Sequence, residues 1–281
     1  MPDEILVVDN GSEVLPKEVC AAYPNVKLIQ ELTPGPGPAR NRGVAESTGE
    51  TLAFIDADCI ADSDWLLRIE HALSENAGAI VGGEVRILAS RPPELSQTEA
   101  YESIYGFRMK QYIQKEGYAA TLNMAVRRDV FRQVGDFKGL QTAEDREWGQ
   151  RANKMGIEIH FVSNAIVYHP ARPDIRALQQ KWSRLLGHEY NSARITFWGT
   201  FKFALKAFAM PISPIVELPT VLFSKRIRGV GGRIKAYICL CRIRYFRART
   251  MWHILLTGGP NHGPKDWNKA ENHKLPRNLS K

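Results

Sequence analysis

Asp56 and Asp58 flank a single alanine where an apolar run, Leu52, Phe54 and Ile55, gives out. Two hard oxygen ligands one residue apart suit Mg²⁺ or Mn²⁺, and such an ion suits a substrate carrying phosphates. The same tripeptide is also what a solvated turn after a strand looks like, so its surroundings decide its meaning. Asp9 closes an earlier apolar run, Ile5-Leu6-Val7-Val8. Arg40 follows a proline-rich loop, and Glu144-Asp145 open a helical stretch. Paired acids can hold a metal or take a proton, and an arginine can hold either a phosphate or one of those acids.

These residues need a scaffold that gathers them. Continuous apolar runs over residues 4–9, 26–29, 51–55 and 79–87 read as buried strands. Residues 119–126 and 158–169 add two more. Between them lie helical stretches: a short one at 39–43, one with Trp65, Ile69 and Leu73 on one face capped by Asp62 or Ser63, and others at 99–115, 129–134 and 143–155. The loop 33–38 holds three prolines and is excluded from helix and central strand. Strands alternating with helices predict an α/β domain with a mostly parallel sheet covered on both faces. The acids then fall at strand ends, the edge of such a sheet where ligands bind.

The order of these features resembles the family 2 glycosyltransferases, which have the GT-A fold. The matching segments are Val7-Val8-Asp9-Asn10-Gly11-Ser12, Ala39-Arg40-Asn41-Arg42-Gly43, Asp56-Ala57-Asp58 and Glu144-Asp145. The resemblance spans roughly residues 3–170. Relative to the family pattern the chain begins one strand and one helix late. The resemblance implies an inverting transferase that moves a sugar from a nucleoside diphosphate sugar to a hydroxyl of a saccharide or lipid-linked acceptor, with Mg²⁺ or Mn²⁺ as cofactor. Asp9 would bond the nucleobase, or else cap its strand. Arg40 would lie near the donor, or pair structurally with Asp56. Asp56 would contact the ribose or sugar, and Asp58 would hold the metal. Asp145 matches the base, with Glu144 as the alternative and a helix-dipole role for both as the plainer one. Asn123 is an acceptor-side candidate or a core residue, and so is Trp148. His169 is a metal ligand by the resemblance, neutral imidazole suiting Mn²⁺, or a structural strand-end histidine. The processive synthases carry Gln-x-x-Arg-Trp; here Lys181 precedes Trp182 and Leu178 replaces the glutamine, which implies single additions.

The chain has 281 residues, 44% hydrophobic and 24% charged, enough for a main domain and an extension. The net charge of +8 is unevenly shared. Residues 171–281 carry 21 Lys/Arg against 5 Asp/Glu, a net of +16, while residues 1–170 have a net of −8. We divide the chain into a GT-A-like catalytic domain (1–170), a basic, partly amphipathic helical extension (171–257) and a disordered tail (258–281). The apolar stretch 201–223 contains three prolines and three charges, which argues for interfacial or core-packed helices over a transmembrane span. A basic extension with interleaved aromatics suits an anionic membrane surface better than nucleic acid in this context. Four cysteines without C-x-x-C spacing suggest neither zinc nor disulfides, and no signal peptide is read, so the expected location is the cytoplasmic face of a membrane. The rival readings are a crippled transferase-like protein that binds membrane or nucleic acid, and a nucleotidyltransferase.

Overall fold

The computed structural model describes residues 1–258 apart from 93, 141 and 142. The expected disordered tail, 258–281, lies outside the described residues except for Gly258. In chain order the elements begin with β1 (Ile5–Asp9), α1 (Lys17–Ala21), β2 (Val26–Gln30), α2 (Pro36–Glu46), β3 (Thr51–Ile55), β4 (Ile60–Ala61), α3 (Trp65–Glu75) and β5 (Ile80–Leu88). There follow α4 (Gln97–Tyr105), α5 (Met109–Gln111), a π-helical turn (Tyr112–Glu116), β6 (Asn123–Arg127), α6 (Arg128–Val134), α7 (Glu144–Lys154) and β7 (Ile159–Pro170). Four helices complete the described chain: α8 (Ile175–Ala193), α9 (Phe197–Ala209), α10 (Ser213–Leu222) and α11 (Val230–Thr257). The chain forms two compact units, residues 1–86 with 108–169, and residues 87–107 with the chain from Pro170 onward.

The first unit contains the sheets. β1 and β2 pair in parallel, and five further strands run in the order β3-β6-β5-β7-β4. The expectation of a mostly parallel sheet is corrected here: β6 is antiparallel to both β3 and β5, and β4 is antiparallel to β7, so the sheet is mixed. Alternating strands and helices fix what covers a sheet, whereas direction depends on how each connection returns. Side chains alternate across β5 and β6 as the two-residue period requires. Ile80, Met124 and Val126 join Phe131, Phe137 and Trp148 on one face. Val81 and Ala125 join Trp65, Ile69 and Leu73 of α3 on the other.

The proline loop is a second correction. α2 starts at Pro36, inside the segment excluded from helix. A proline in the first turn lacks only an N–H that has no intrahelical partner there, and its fixed φ suits the helix. Gly37 in that turn is required by close approach, since a Cβ would lie 2.0 Å from the Lys138 carbonyl oxygen.

The second unit is helical. α4 begins with a capping box in which the Ser96 hydroxyl accepts from the Glu99 N–H and Glu99 Oε2 accepts from the Ser96 N–H. Its Ala100, Tyr101 and Ile104 pack with Leu178 of α8 and with Cys239, Leu240 and Ile243 of α11. The helix expected across 99–115 ends at Gly106, and residues 87–107 form one compact unit with the chain from Pro170 onward. Buried Glu102 accepts from the Arg172 N–H and from Arg172 Nη1, each at 2.7 Å, with Lys181 Nζ at 3.7 Å. Among the described residues no single helix is long and apolar enough to cross a membrane.

Candidate functional site

The acids sit at strand ends because the apolar runs that precede them are strands. Asp9 terminates β1 and is buried; its Oδ2 accepts from the Gly11 and Ser12 N–H groups at 3.2 Å, which turns the chain. Asn10 fixes the next loop. Its amide donates to the Glu31 and Thr33 carbonyls at 2.8 Å, and its Oδ1 accepts from the Gly35 N–H at 2.7 Å. That loop delivers α2, and Asn41 holds it from the far side through two bonds to Phe137, donating to the carbonyl and accepting from the N–H.

Arg40, on α2, joins two acids far apart in sequence. Its Nη1 donates to Glu144 Oε1 at 2.7 Å and its Nη2 to Asp56 Oδ1 at 3.0 Å. Planar guanidinium with several donors serves two carboxylates where an ammonium would serve one. Glu144 is thereby occupied by an ion pair, whereas among the described residues Asp145 forms none. α7 lies close against the Tyr118 segment, since a Cβ on Gly149 would come 2.5 Å from Tyr118 Cβ. Asp145 lies one turn before Gly149 on that side. Burial, followed by the charge of Glu144, pushes its carboxyl up to about 6 from an ordinary value of 3.8, against a bond from the Arg146 N–H at 2.7 Å.

The other cluster comes from strand register. β4 pairs with β7 so that Ile60 faces Tyr168 and Ala61 faces Val167; continued by one residue, this sets His169 opposite Cys59 and beside Asp58. His169 Nε2 lies 3.5 Å from Asp58 Oδ2, and Cys59 Sγ lies 3.7 Å from Asp58 Oδ1. One ligand atom from each of Asp58, Cys59 and His169 falls within 4.8 Å of the others. Two ligand atoms each about 2.1 Å from one ion in octahedral geometry lie about 3 Å apart, so the carboxylate and imidazole fit a shared cation with little movement. Burial and the neighbouring aspartates push the Cys59 thiol up, which keeps it protonated when no cation is present. Cys59 was missed as a member of this cluster because β4 is two residues long and leaves no periodic signal, although the cysteine directly follows Asp58.

The two acceptor-side candidates lie in the core. Asn123 is fully buried: its Oδ1 accepts from Trp65 Nε1 at 2.8 Å and its amide donates to the Glu84 and Ala165 carbonyls at 2.9 Å. Every polar atom is used in tying β6 to β5, β7 and α3. Trp148 is 0% exposed, stacks on Phe131 and donates through Nε1 to the Gly135 carbonyl at 2.7 Å, so it offers no face to a sugar. The structure thus gathers Arg40, Asp56 and Glu144 with Asp145 beside them, gathers Asp58 with Cys59 and His169, keeps Asp9 in its own strand-end turn, and puts Asn123 and Trp148 in the core.

The α/β scaffold that carries these acids has the GT-A fold. The pattern of Glycosyl transferase family 2 matches residues 1–135. Glycosyltransferase AglE of Haloferax volcanii is 38% identical over 241 residues, 82% of this chain and 77% of AglE. The chain belongs to glycosyltransferase family 2 and is a glycosyltransferase. Glucosyl-dolichyl phosphate glucuronosyltransferase of the same organism is 31% identical over 107 residues, 35% of this chain and 33% of that protein. The mannosyltransferase PcManGT from Pyrobaculum calidifontis, solved in complex with GDP-Man and Mn²⁺, shares the fold with a TM-score of 0.52 at 15% identity, over 90% of this chain and 77% of that one.

Proposed function

We propose that this glycosyltransferase takes its sugar from a nucleoside diphosphate donor with Mg²⁺ or Mn²⁺ at Asp58 and His169, and passes it with inversion to a hydroxyl of a saccharide or lipid-linked acceptor. The observation that carries the reading is the Asp58–His169 pair, an oxygen and a nitrogen ligand set 3.5 Å apart at adjoining strand ends. PcManGT, with its GDP-Man and Mn²⁺, supports both donor class and metal. The dolichyl phosphate named for the second relative supports a lipid-linked acceptor.

The residues divide the work as follows. Asp145 accepts the proton of the attacking hydroxyl; the acceptor oxygen bonds the anomeric carbon from the side opposite the phosphate, and the bond to the diphosphate breaks. A raised carboxyl suits this role, because a base with a value near the working pH is both ionised and able to bind a proton. Arg40 orients Asp56 toward the donor's sugar end, and Asp9 meets the nucleobase. A divalent cation, when bound, neutralises charge on the leaving nucleoside diphosphate. Basic residues of the second unit hold the enzyme on the anionic cytoplasmic face of a membrane, each Lys or Arg near the surface contributing about 1 kcal/mol.

The test is release of nucleoside diphosphate from a panel of UDP-, GDP- and dTDP-sugars with Mn²⁺. One donor should give turnover that Asp58→Ala abolishes. Turnover that survives in Asp58→Ala would contradict the metal assignment.

A further inference from the structure

Helix α9 has two unlike faces. Phe203 and Ala207, with Met210 just beyond the helix, pack inward with Leu186, Tyr190, Met251 and Ile254. Trp198, Phe201, Leu205 and Phe208, spaced by three and four residues, form a stripe on the other side, each at least half exposed. α10 repeats the arrangement: Pro214 and Val221 are buried, whereas Ile215, Val216 and Leu222 are exposed. Ile212 and Phe223 carry the apolar surface past both ends of α10. Five exposed rings, Phe197, Trp198, Phe201, Phe208 and Phe223, lie between 50% and 81% exposure. At roughly 150–250 Å² per aromatic side chain they present on the order of 600 Å² before any aliphatic group is counted. That alone reaches the upper end of the largest apolar patch on a soluble monomer, and such patches mark docking surfaces.

The exposed charges around this surface are of one sign. Between Ile195 and Phe223 the charged residues are Lys202, Lys206 and Glu217. Lys206 bonds Glu189 at 2.5 Å, and Glu217 accepts from the Tyr105 hydroxyl at 3.1 Å and from Arg244 at 3.2 Å, so both are engaged within the unit. Lys202 is exposed, as are Arg194 before the apolar stretch and Lys225 and Arg228 after it. From residue 190 to residue 258 the sole acid is Glu217. A second copy docking face to face would bring these cations together, which disfavours self-association. An anionic headgroup layer over an apolar interior complements both properties at once.

Neither helix alone is long enough to cross a bilayer. Thirteen residues of α9 and ten of α10 extend about 20 and 15 Å against a hydrocarbon core of about 30 Å. The two helices bend by 66° at their junction. Helices with one packed face and one exposed apolar face lie in the membrane interface, where Trp and Phe rings with flanking Lys and Arg are favoured. We propose that α9 and α10 insert their exposed apolar face into one leaflet of an anionic bilayer, with Arg194, Lys202, Lys225 and Arg228 at the level of the phosphates. This goes beyond a purely electrostatic surface contact. It uses no residue of the transfer site, so donor turnover in solution and vesicle insertion succeed or fail separately.

The experiment mixes the full chain with phosphatidylcholine vesicles, with and without phosphatidylglycerol, and follows flotation together with quenching of tryptophan fluorescence by lipids brominated on their acyl chains. We expect stronger flotation with phosphatidylglycerol, and quenching in wild type that Trp198→Phe largely removes while flotation persists. Replacing exposed Leu205 and Phe208 by serine should weaken vesicle partitioning by about tenfold or more, from the loss of two large apolar side chains. These side chains are exposed, so thermal unfolding should be little changed; should the double variant fail to fold, the Trp198→Phe comparison decides alone. Flotation without bromolipid quenching would overturn insertion in favour of surface adsorption. Absence of vesicle binding, with or without a dimer in light scattering, would overturn the membrane as the occupant.

Discussion

Asp145→Asn should make the protein more stable and nearly inactive, and both effects should depend on pH. The folded carboxyl sits at about 6 while its ordinary value is 3.8. A raised folded value means that the folded state holds the proton over a range where the unfolded state has released it. Stability is therefore unaffected below about pH 4, falls as pH rises from about 4 to 6, and then levels off. A rise of roughly two pH units corresponds to about 3 kcal/mol, and partial access of solvent to a group that is not fully enclosed reduces this to about 2 kcal/mol. Asparagine is isosteric, keeps an oxygen for the Arg146 N–H and carries no charge. Urea unfolding without donor or metal should thus show the variant more stable by about 2 kcal/mol at pH 7.5 and by less than about 1 kcal/mol at pH 4.5. In assays of transfer, wild-type kcat/KM should rise tenfold per pH unit up to about pH 6 and then flatten, while the variant loses about 10²- to 10⁴-fold in kcat with donor KM little changed. Glu144→Gln should move that rising limb to lower pH, since the Glu144 charge is the second cause of the elevation. A stability gain that is equal at both pH values, or a variant less stable than wild type at pH 7.5, would refute the burial argument.

Asn123→Ala should destabilise by about 3 kcal/mol, because Trp65 Nε1 and two carbonyls lose a buried partner at once; chemical unfolding measures this, and the folded fraction should keep wild-type donor KM. Glu102→Gln should cost about 3 kcal/mol or more by leaving Arg172 and Lys181 without their shared carboxylate, read as a lowered denaturation midpoint with an unchanged slope. Arg40→Lys keeps the charge but cannot bridge two carboxylates, so kcat should fall about tenfold or more while stability drops by roughly 1–2 kcal/mol. A lysine variant with wild-type kcat would show that the two-acid bridge has no part in turnover.

Much of the site is legible in the chain because apolar runs ending in an acid leave little choice about where the acid lies. Asp9 ends its strand, and Asp56 and Asp58 fall in the turn directly after theirs, for that reason. What is not legible is which of them meet. The nearness of His169 to Asp58 is set by the register of a strand two residues long, too short for any periodicity. Trp148 and Asp145 lie three residues apart on the same helix, and composition alone treats them alike. The discriminating feature is Gly149, four residues after Asp145, which lets α7 come down on Tyr118 and leaves the carboxyl only partly open to solvent, while Trp148 turns into the aromatic core. Asn123, a polar residue in an otherwise apolar strand, announces that it is special. Whether it faces a ligand or a tryptophan 58 positions away is a fact about tertiary structure.

Arg40 connects these two levels. Asp56 and Glu144 stand 88 positions apart in sequence, yet both bond one guanidinium. Without that cation, two carboxylates drawn to one place would repel, and the start of α7 would have no electrostatic reason to lie near the end of β3. Asn41, the next residue, fastens α2 to Phe137, and Gly37 lets the same helix touch the Lys138 carbonyl. The segment 37–41 thus fixes its own backbone first and then uses Arg40 to fix the entry of α7. Asp145 follows Glu144 directly, so its position depends on a residue it does not bond. A substitution at Arg40 should therefore act on the proton-accepting step as well as on the donor side, which is why Arg40→Lys is expected to lower kcat even where donor KM is preserved.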